Sequence, residues 1–321
     1  MTPTGRARFA RFWECPYGVT PGPPPSRGVD SLDADRWKLW FDLWMKIAYL
    51  GPAGTFTEDA LGEALPADGY EPLRTPTIHD AILAVERGEA ERALVPIENS
   101  LEGSIRPTLD TLAFEASAVT IVGEHDYRVR VHLIAREGTR AEDVEAVLSH
   151  PQPLAQCQRF LRERFPKVEL RSVSSTAAAV RMVSESARPW AALGARAAAD
   201  LYDCELLLEG VEDQEDNVTR FVWIAPAGTE TAGEGSWKTS LVFAELGADH
   251  PGALVDALRE FSERGINLSR IESRPLRQGL GRYMFFCDLE GRASDPAVAE
   301  AIERLRAKAE SVRILGSYPL T

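Results

Sequence analysis

Residues 45–54 read MKIAYLGPAG, an apolar run followed by a turn rich in glycine and proline. The run at 46–50 predicts a buried strand, and the glycines and proline at 51–54 predict the turn that ends it. Thr55 lies three residues before Glu58, which is the spacing of a capping box at the start of a helix. The stretch therefore predicts a strand, a turn and a helix in succession, the repeating unit of an α/β fold.

The same alternation continues to about residue 225. Apolar side chains at helical spacing predict a helix that begins after Thr77 and ends at Gly88. Farther along, strands are predicted at 93–97, 129–135, 144–148, 168–173 and 190–193, and helices at 151–164, 176–185 and 195–202. With 119–126 and 205–217 as connections, the pattern predicts an α/β domain of mostly parallel sheets. Its two lobes, 45–122 plus 204–225 and 123–203, are expected to enclose a ligand-binding cleft.

The C-terminal quarter of the chain has a different pattern. Residues 226–236 are rich in Gly, Ala, Thr and Glu, a composition typical of a linker. Beyond it, residues 237–321 predict strands at 239–246, 268–274, 282–289 and 312–315, and helices at 252–264 and 296–309. This order is the ferredoxin-like βαββαβ topology, and about 85 residues suffice for a small domain.

The first 44 residues read unlike the rest. They contain a polyproline region at 21–25 and an aromatic patch formed by Trp37, Trp40, Phe41 and Trp44. Two interpretations are open: a disordered N-terminal extension with a small docking helix, or residues upstream of a natural start at Met45. The second is favoured.

Composition restricts the class of protein. The chain has 321 residues, of which 44% are hydrophobic and 26% are charged, as in an ordinary globular protein. A formal net charge of -13 argues against nucleic acid or an anionic membrane as a partner. No apolar run is long enough for a membrane span or a secretory signal, so we expect a cytoplasmic protein. The 4 cysteines and 5 histidines lack ligand spacing, and nucleotide-binding motifs are missing, so neither a metal nor a cofactor is expected.

Polar side chains follow the predicted strands at several places. Each place alone is explained by a turn or a helix cap, because Ser, Thr and Asn favour such positions. Together they predict one convergent site for a small polyanion, with amides, hydroxyls and a guanidinium as ligands. The candidate residues are Thr55, Glu98, Asn99, Ser100, Ser149, Gln152, Gln156, Ser174, Ser175, Thr176, Thr219 and Arg220.

Six ordered motifs carry a resemblance to a known family. They are YLGPxGTFT at 49–57, VPIENS at 95–100, SHPQ at 149–152, NxTRF at 217–221, GAL at 252–254 and ESRP at 272–275. On these motifs the chain, from Met45 to Thr321, resembles bacterial prephenate dehydratase. The resemblance implies a two-lobed catalytic domain of the periplasmic-binding-protein type (type II) and a C-terminal ACT regulatory domain that binds phenylalanine.

The resemblance also implies roles for individual residues. The implied reaction is the conversion of prephenate to phenylpyruvate, water and carbon dioxide, with Thr219 as the implied essential catalytic residue and Arg220 and Phe221 completing its motif. Thr219 is expected to act as a hydrogen-bond donor or proton relay to the departing oxygen. The polar residues given above are expected to bind substrate. The implied phenylalanine-binding residues are Gly252, Ala253, Leu254, Asn267, Glu272, Ser273, Arg274 and Pro275.

Several alternatives stay open at this point. Arg220 either pairs with a substrate carboxylate or braces the wall of the cleft. The substrate is prephenate or its amino analogue arogenate, and a third hypothesis is a non-catalytic amino-acid sensor. The ACT domain predicts a homodimer or a homotetramer.

Overall fold

The computed structural model describes residues 45–66, 69–246, 251–277, 279 and 281–320. The expectations for residues 1–44 lie outside the described residues. No helix in these described ranges is long and apolar enough to cross a membrane.

The first lobe is built on the strands that begin with the quoted stretch. Its elements are β1 (Met45–Leu50), α1 (Phe56–Ala64), β2 (Tyr70–Thr75), α2 (Ile78–Glu86), β3 (Arg92–Asn99), β4 (Gly103–Ser104), α3 (Arg106–Phe114) and β5 (Val119–Arg128), and the chain later returns as β11 (Val218–Pro226). Strand β1 pairs in parallel with β2 and β3, whereas β11 pairs antiparallel with β3 and β5. Both faces of these strands are covered, so Ile47, Ala48 and Tyr49 are fully buried.

The second lobe is a smaller α/β unit. It contains β6 (His132–Arg136), β7 (Ala146–Ser149), α4 (Pro151–Gln156), α5 (Gln158–Arg164), β8 (Glu169–Ser172), α6 (Thr176–Glu185), β9 (Trp190–Gly194), α7 (Arg196–Leu201) and β10 (Cys204–Leu208). The sheet order is β10-β6-β9-β7-β8. The predicted two-lobed α/β architecture is confirmed.

The predicted lobe boundaries are wrong at both places where the chain passes from one lobe to the other. Strand β5 continues to Arg128 in the sheet of the first lobe, and β10 belongs to the second lobe, where it pairs with β6. The chain crosses at 129–131 and returns at 209–217, and these segments hydrogen-bond to each other through Val129 and Asn217. The sheets are also mixed rather than mostly parallel, because β11, β6 and β10 form antiparallel pairs.

Two details of the predicted helices also differ. Glu58 does not complete a capping box with Thr55: its carboxylate accepts the N–H of Gly54 and the hydroxyl of Tyr49. The predicted helix at 151–164 is broken at Cys157 into α4 and α5. By contrast, Thr77 caps α2 as predicted, by accepting the N–H of Asp80.

The C-terminal unit has the predicted βαββαβ order. Its elements are β12 (Trp237–Ala244), α8 (Ala253–Ser262), β13 (Leu268–Pro275), β14 (Tyr283–Glu290), α9 (Pro296–Arg306) and β15 (Ser311–Pro319). Helices α8 and α9 share one apolar core with the strands, which includes Phe243, Phe261 and Leu289.

An unexpected feature is that this unit continues the sheet of the first lobe. Strand β15 meets β5 at a single parallel pair, Gly316 with Ile121, so that the sheet order is β13-β14-β12-β15-β5-β11-β3-β1-β2. A second apolar cluster joins Val242 and Phe286 to Leu109 and Leu112 of α3. The C-terminal unit is therefore packed directly against the strands and helix that carry the first lobe.

Candidate active site

A cavity of about 680 Å³ lies between the two lobes. Its volume is within the range of small-molecule sites. The predicted residues that line it are Thr55, Asn99, Gln152, Gln156, Ser174, Ser175, Thr176, Thr219 and Phe221. The structure thus brings together residues from both lobes that are far apart in the sequence.

Thr219 is held at this cavity by its neighbour on the next strand. Residue 219 of β11 is paired with residue 99 of β3, and Asn99 Nδ2 donates to Thr219 Oγ1 over 2.9 Å. The amide of Asn99 has one possible orientation, because its Oδ1 accepts the backbone N–H groups of Leu101 and Glu102. The threonine oxygen is therefore an acceptor toward Asn99, and its own proton is free to point into the cavity.

Asn217 connects this arrangement to the second lobe. Its side chain is buried, its Oδ1 accepts from Asn99 Nδ2 at 2.8 Å, and its Nδ2 donates to Gln156 Oε1 at 3.3 Å. Phe221 is also buried and packs edge-on against Tyr127. These contacts fix the wall around Thr219 from both lobes.

The helix starts at the cavity suit anionic ligands. Helix α6 begins beside Ser174, Ser175 and Thr176, and the Ser175 hydroxyl caps it by accepting the N–H of Ala178. Helix α1 of the other lobe begins after Thr55 at the same cavity. The positive ends of both helices thus lie at one cavity.

Arg181 adds a full positive charge to the cavity wall. It follows one turn after the start of α6, and no Asp or Glu occurs among the described residues that line the cavity. A site with helix starts, a guanidinium and no carboxylate favours a ligand with more than one negative charge.

Four candidate residues do not line the cavity. Ser149 is fully buried and its Oγ donates to the Leu193 carbonyl, which ties β7 to β9. Ser100 joins two loops by donating to the Asp216 carbonyl and accepting the N–H of Val218. Glu98 and Arg220 face away from the cavity and pair with each other at 3.4 Å. The substrate-binding roles predicted for these four side chains are therefore not supported by their positions.

Arg220 braces the wall instead of facing the ligand. Its guanidinium lies 2.6 Å from Asp288 of β14 and 3.6 Å from Glu124 of β5. Burial lowers the pKa of Arg220, but the charges of Asp288, Tyr318 and Glu124 and the hydrogen bond to Asp288 together raise that pKa by more, so the net shift is upward. Of the two alternatives for Arg220, the structural one fits the geometry.

Some residues of the cavity were not predicted to belong to the site. They include His150, Arg181, Tyr202 and Asn217. Asn217 and His150 lie inside motifs quoted above, so the sequence contained a signal for them. No sequence signal pointed to Arg181, because a single arginine on an amphipathic helix is ordinarily a solvated surface residue.

The predicted effector residues fall into two groups. Ala253 and Leu254 line a second cavity of about 380 Å³ beside Tyr283 and Phe285, and Gly252 precedes α8 with a φ of 100°. Asn267, Glu272, Ser273, Arg274 and Pro275 do not line that cavity. They lie just before or along β13, where Asn267 donates to Glu290 and Arg274 pairs with Asp110 of α3.

Comparison with known proteins gives the family. The family model for prephenate dehydratase matches residues 47–229, and the model for the ACT domain matches residues 241–307. The chain belongs to the prephenate dehydratase family. It carries the C-terminal ACT domain that the motifs predicted.

Individual relatives agree with this membership. A prephenate dehydratase of Mycobacterium marinum is 43% identical over 282 residues, which is 85% of this chain and 88% of the relative. A crystal structure of prephenate dehydratase from Arthrobacter aurescens in complex with L-Phe has 38% identity and a TM-score of 0.78, covering 85% of this chain and 89% of that one.

One structural relative has a different description. A solved structure described as a novel type of quorum-quenching acylase has 32% identity and a TM-score of 0.77, and covers 86% of this chain and 98% of that one. The same fold is thus reported with two activities, so the reaction has to be argued from the residues of the site.

Proposed function

We propose that this chain is a cytoplasmic prephenate dehydratase that converts prephenate to phenylpyruvate, and that phenylalanine regulates it through the ACT domain. In the reaction the bond between the ring and its carboxylate breaks, carbon dioxide leaves, and the electron pair enters the ring. The ring hydroxyl takes one proton and departs as water, so the ring becomes aromatic. We assign catalysis to residues 45–225, the linker to 226–236 and regulation to 237–321.

The observation that carries this proposal is the hydrogen bond from Asn99 Nδ2 to Thr219 Oγ1. Because the threonine oxygen accepts from Asn99, its hydroxyl proton is directed to the substrate. Thr219 donates this hydrogen bond to the departing hydroxyl oxygen as negative charge develops there. A donor fixed in advance stabilises the transition state more than the ground state.

The two carboxylates of prephenate need separate partners. In our proposal one carboxylate binds at the start of α6, near Thr176 and Arg181, and the other binds at the start of α1, near Thr55. This places the substrate across both lobes with its ring near Thr219 and Phe221. Holding both ends aligns the two groups that leave, which accounts for part of the rate enhancement.

Other activities have less support in the site. Hydrolysis of an amide by an acylase usually needs a serine or cysteine activated by a base. Among the described residues, no serine, threonine or cysteine side chain hydrogen-bonds to a histidine. Arogenate remains the alternative substrate, since it differs from prephenate in one amino group, and a non-catalytic sensor remains the alternative function.

The first experiment is to incubate the purified protein with prephenate and, separately, with arogenate, with and without phenylalanine. We expect phenylpyruvate from prephenate and a lower rate when phenylalanine is added. Phenylalanine formed from arogenate alone would change the substrate, and no reaction with either would favour the sensor.

A pair of variants tests the role of Thr219. Thr219→Val keeps the shape but removes the hydroxyl, and we expect kcat to fall by about 100-fold or more, as for the loss of a hydrogen-bond donor to a developing negative charge. Thr219→Ser keeps the hydroxyl and should retain most of the activity. Equal kcat for the valine variant and the wild type would disprove the assignment.

A further inference from the structure

Two neighbouring residues of strand β11 face two different regions of the molecule. Thr219 faces the cavity, and Arg220, on the opposite face of the strand, points to the ACT domain. The Arg220 side chain is only 12% exposed, and its Nε is buried without a hydrogen-bond partner. The guanidinium therefore depends on the few carboxylates around it.

The shortest of these contacts comes from the ACT domain. Asp288 Oδ2 lies 2.6 Å from Arg220, while its Oδ1 accepts the hydroxyl of Ser240 at 2.7 Å. Burial would raise the pKa of Asp288, but the charges of Arg220 and Arg270 and the hydrogen bonds from Ser240 and Arg220 together lower that pKa overall. Asp288 is thus an ionised group that is fixed by its own domain.

The other two carboxylates belong to the first lobe. Glu98 and Glu124 lie 3.4 and 3.6 Å from Arg220. Each also contacts a cation of the ACT domain: Arg270 is 3.6 Å from Glu98, and Lys238 is 2.7 Å from Glu124. We call the six residues Arg220, Asp288, Glu98, Glu124, Arg270 and Lys238 the Arg220 cluster.

The Arg220 cluster has two ways to neutralise its charges. With the ACT domain seated as in this structure, Arg220 is closest to Asp288. It shares Glu98 with Arg270 and Glu124 with Lys238. A movement of the ACT domain would withdraw Asp288, Lys238 and Arg270 together. Arg220 would then keep only Glu98 and Glu124 as partners and would move closer to them, because a charge away from water stays paired.

Such a change would reach Thr219 through the backbone. The pairing of β11 with β3 is irregular between Arg220 and Phe221, and a bulge of this kind alters the direction of adjacent side chains. A shift of Arg220 would therefore change the distance between Thr219 and Asn99.

We infer that Arg220 is a positioning residue for Thr219, and that Asp288 is the contact through which the ACT domain and its effector act on catalysis. This inference rests on the proposed function, because it assigns the route by which phenylalanine regulates that site.

The test compares Asp288→Asn with wild type in the full-length chain. Calorimetry gives the Kd for phenylalanine. The residual activity of each protein is its rate at saturating phenylalanine divided by its own uninhibited rate. We expect the residual activity of the variant to rise by about fivefold or more, a typical coupling between sites, with a Kd within about threefold of wild type. Full inhibition of a variant that binds phenylalanine normally would overturn the inference.

A matched control is Thr120→Val. Thr120 Oγ1 donates to the Leu315 carbonyl at 3.1 Å, which is also a contact between the ACT domain and the first lobe but does not involve Arg220. Inhibition of the Thr120→Val variant by phenylalanine should match that of the wild type. Equal relief of inhibition in both variants would mean that any loss of contact between the domains suffices, and would refute a specific role for Asp288.

Hydrogen exchange separates this inference from the proposed function. Phenylalanine should change deuterium uptake at 217–222 in wild type and not in Asp288→Asn, whatever reaction the site performs. An identical change in both proteins would contradict the inference even if dehydratase activity is found.

A second variant is available if Asp288→Asn does not fold. Ser240→Ala removes one hydrogen bond to Asp288 and should relieve inhibition by phenylalanine in the same direction but to a smaller extent.

Discussion

At the scale of single residues, the orientation of the Asn99 amide decides whether the hydroxyl proton of Thr219 points into the cavity. Asn99→Asp would replace the donor to Thr219 Oγ1 by an acceptor, so the hydroxyl proton would turn away from the cavity. We expect kcat to fall by about 100-fold, with a smaller change in KM, since the lost hydrogen bond acts on the transition state. Steady-state kinetics with prephenate measures both values, and a kcat within threefold of wild type would contradict the proposed hydrogen bond.

Arg181 is the second residue whose role can be isolated. Arg181→Gln should raise KM for prephenate by about tenfold or more, because a hydrogen bond between charged groups contributes about 1.5–3 kcal/mol. The side chain is exposed, so the melting temperature should not change. Arg162→Gln removes the same charge from α5, outside the cavity, and serves as the control. An equal rise in KM for both variants would point to net charge rather than to a contact.

At the scale of secondary-structure elements, the close contact of Gly54 with helix α7 holds the start of α1 against the second lobe. A Cβ on Gly54 would lie 2.9 Å from Ala198 Cα, and the residue has a φ of +79°. Gly54→Ala should therefore lower the free energy of unfolding by about 1–3 kcal/mol, measured by denaturant titration. Gly62→Ala in α1 is the matched control, because nothing lies within 4 Å of its Cβ position. It should be neutral or stabilising by up to about 1 kcal/mol.

The same scale shows which elements the sequence predicts well. The bounds of α6 were predicted correctly because Ser175 gives a clear cap and alanine and valine follow at helical spacing. Strand β5 was interpreted as a connection, since its polar stretch at 123–126 does not look like the centre of a sheet. Within that stretch, Glu124 is accommodated because it pairs with Lys238 of the ACT domain. Such a partner is invisible until the tertiary arrangement is known.

At the scale of the whole molecule, the ACT domain contacts the first lobe through a second ionic group, apart from the Arg220 cluster. Arg274 donates to Asp110 of α3 at 2.6 and 2.7 Å, and both side chains are mostly buried. A double-mutant cycle of Arg274→Gln and Asp110→Asn should give a coupling of about 1.5–3 kcal/mol in the free energy of unfolding. Additive losses in the double variant would show that the contact contributes no net stability.

The site was predictable only in part for a related reason. Motifs identified Asn99 and Thr219, which lie at strand ends beside the cleft, and Ser175 was identified because it follows a strand and caps a helix there. Alternation along β11 implies that Thr219 and Arg220 face opposite sides, but it does not say which side is the cavity. The pairing of Arg220 with Asp288 depends on the packing of a domain that begins after a predicted linker, and no local pattern encodes it.

The junction of β15 with β5 limits how this enzyme can be recombined with other regulatory modules. A side chain on Gly316 would overlap the carbonyl group of Ile121, so the two strands meet only because residue 316 lacks one. A chimera with a foreign C-terminal module would continue the sheet only if that module carried glycine at the equivalent point of its last strand. Any other residue there would force the module apart from the catalytic strands, and the hybrid would lose its shared sheet even if every buried charge were retained.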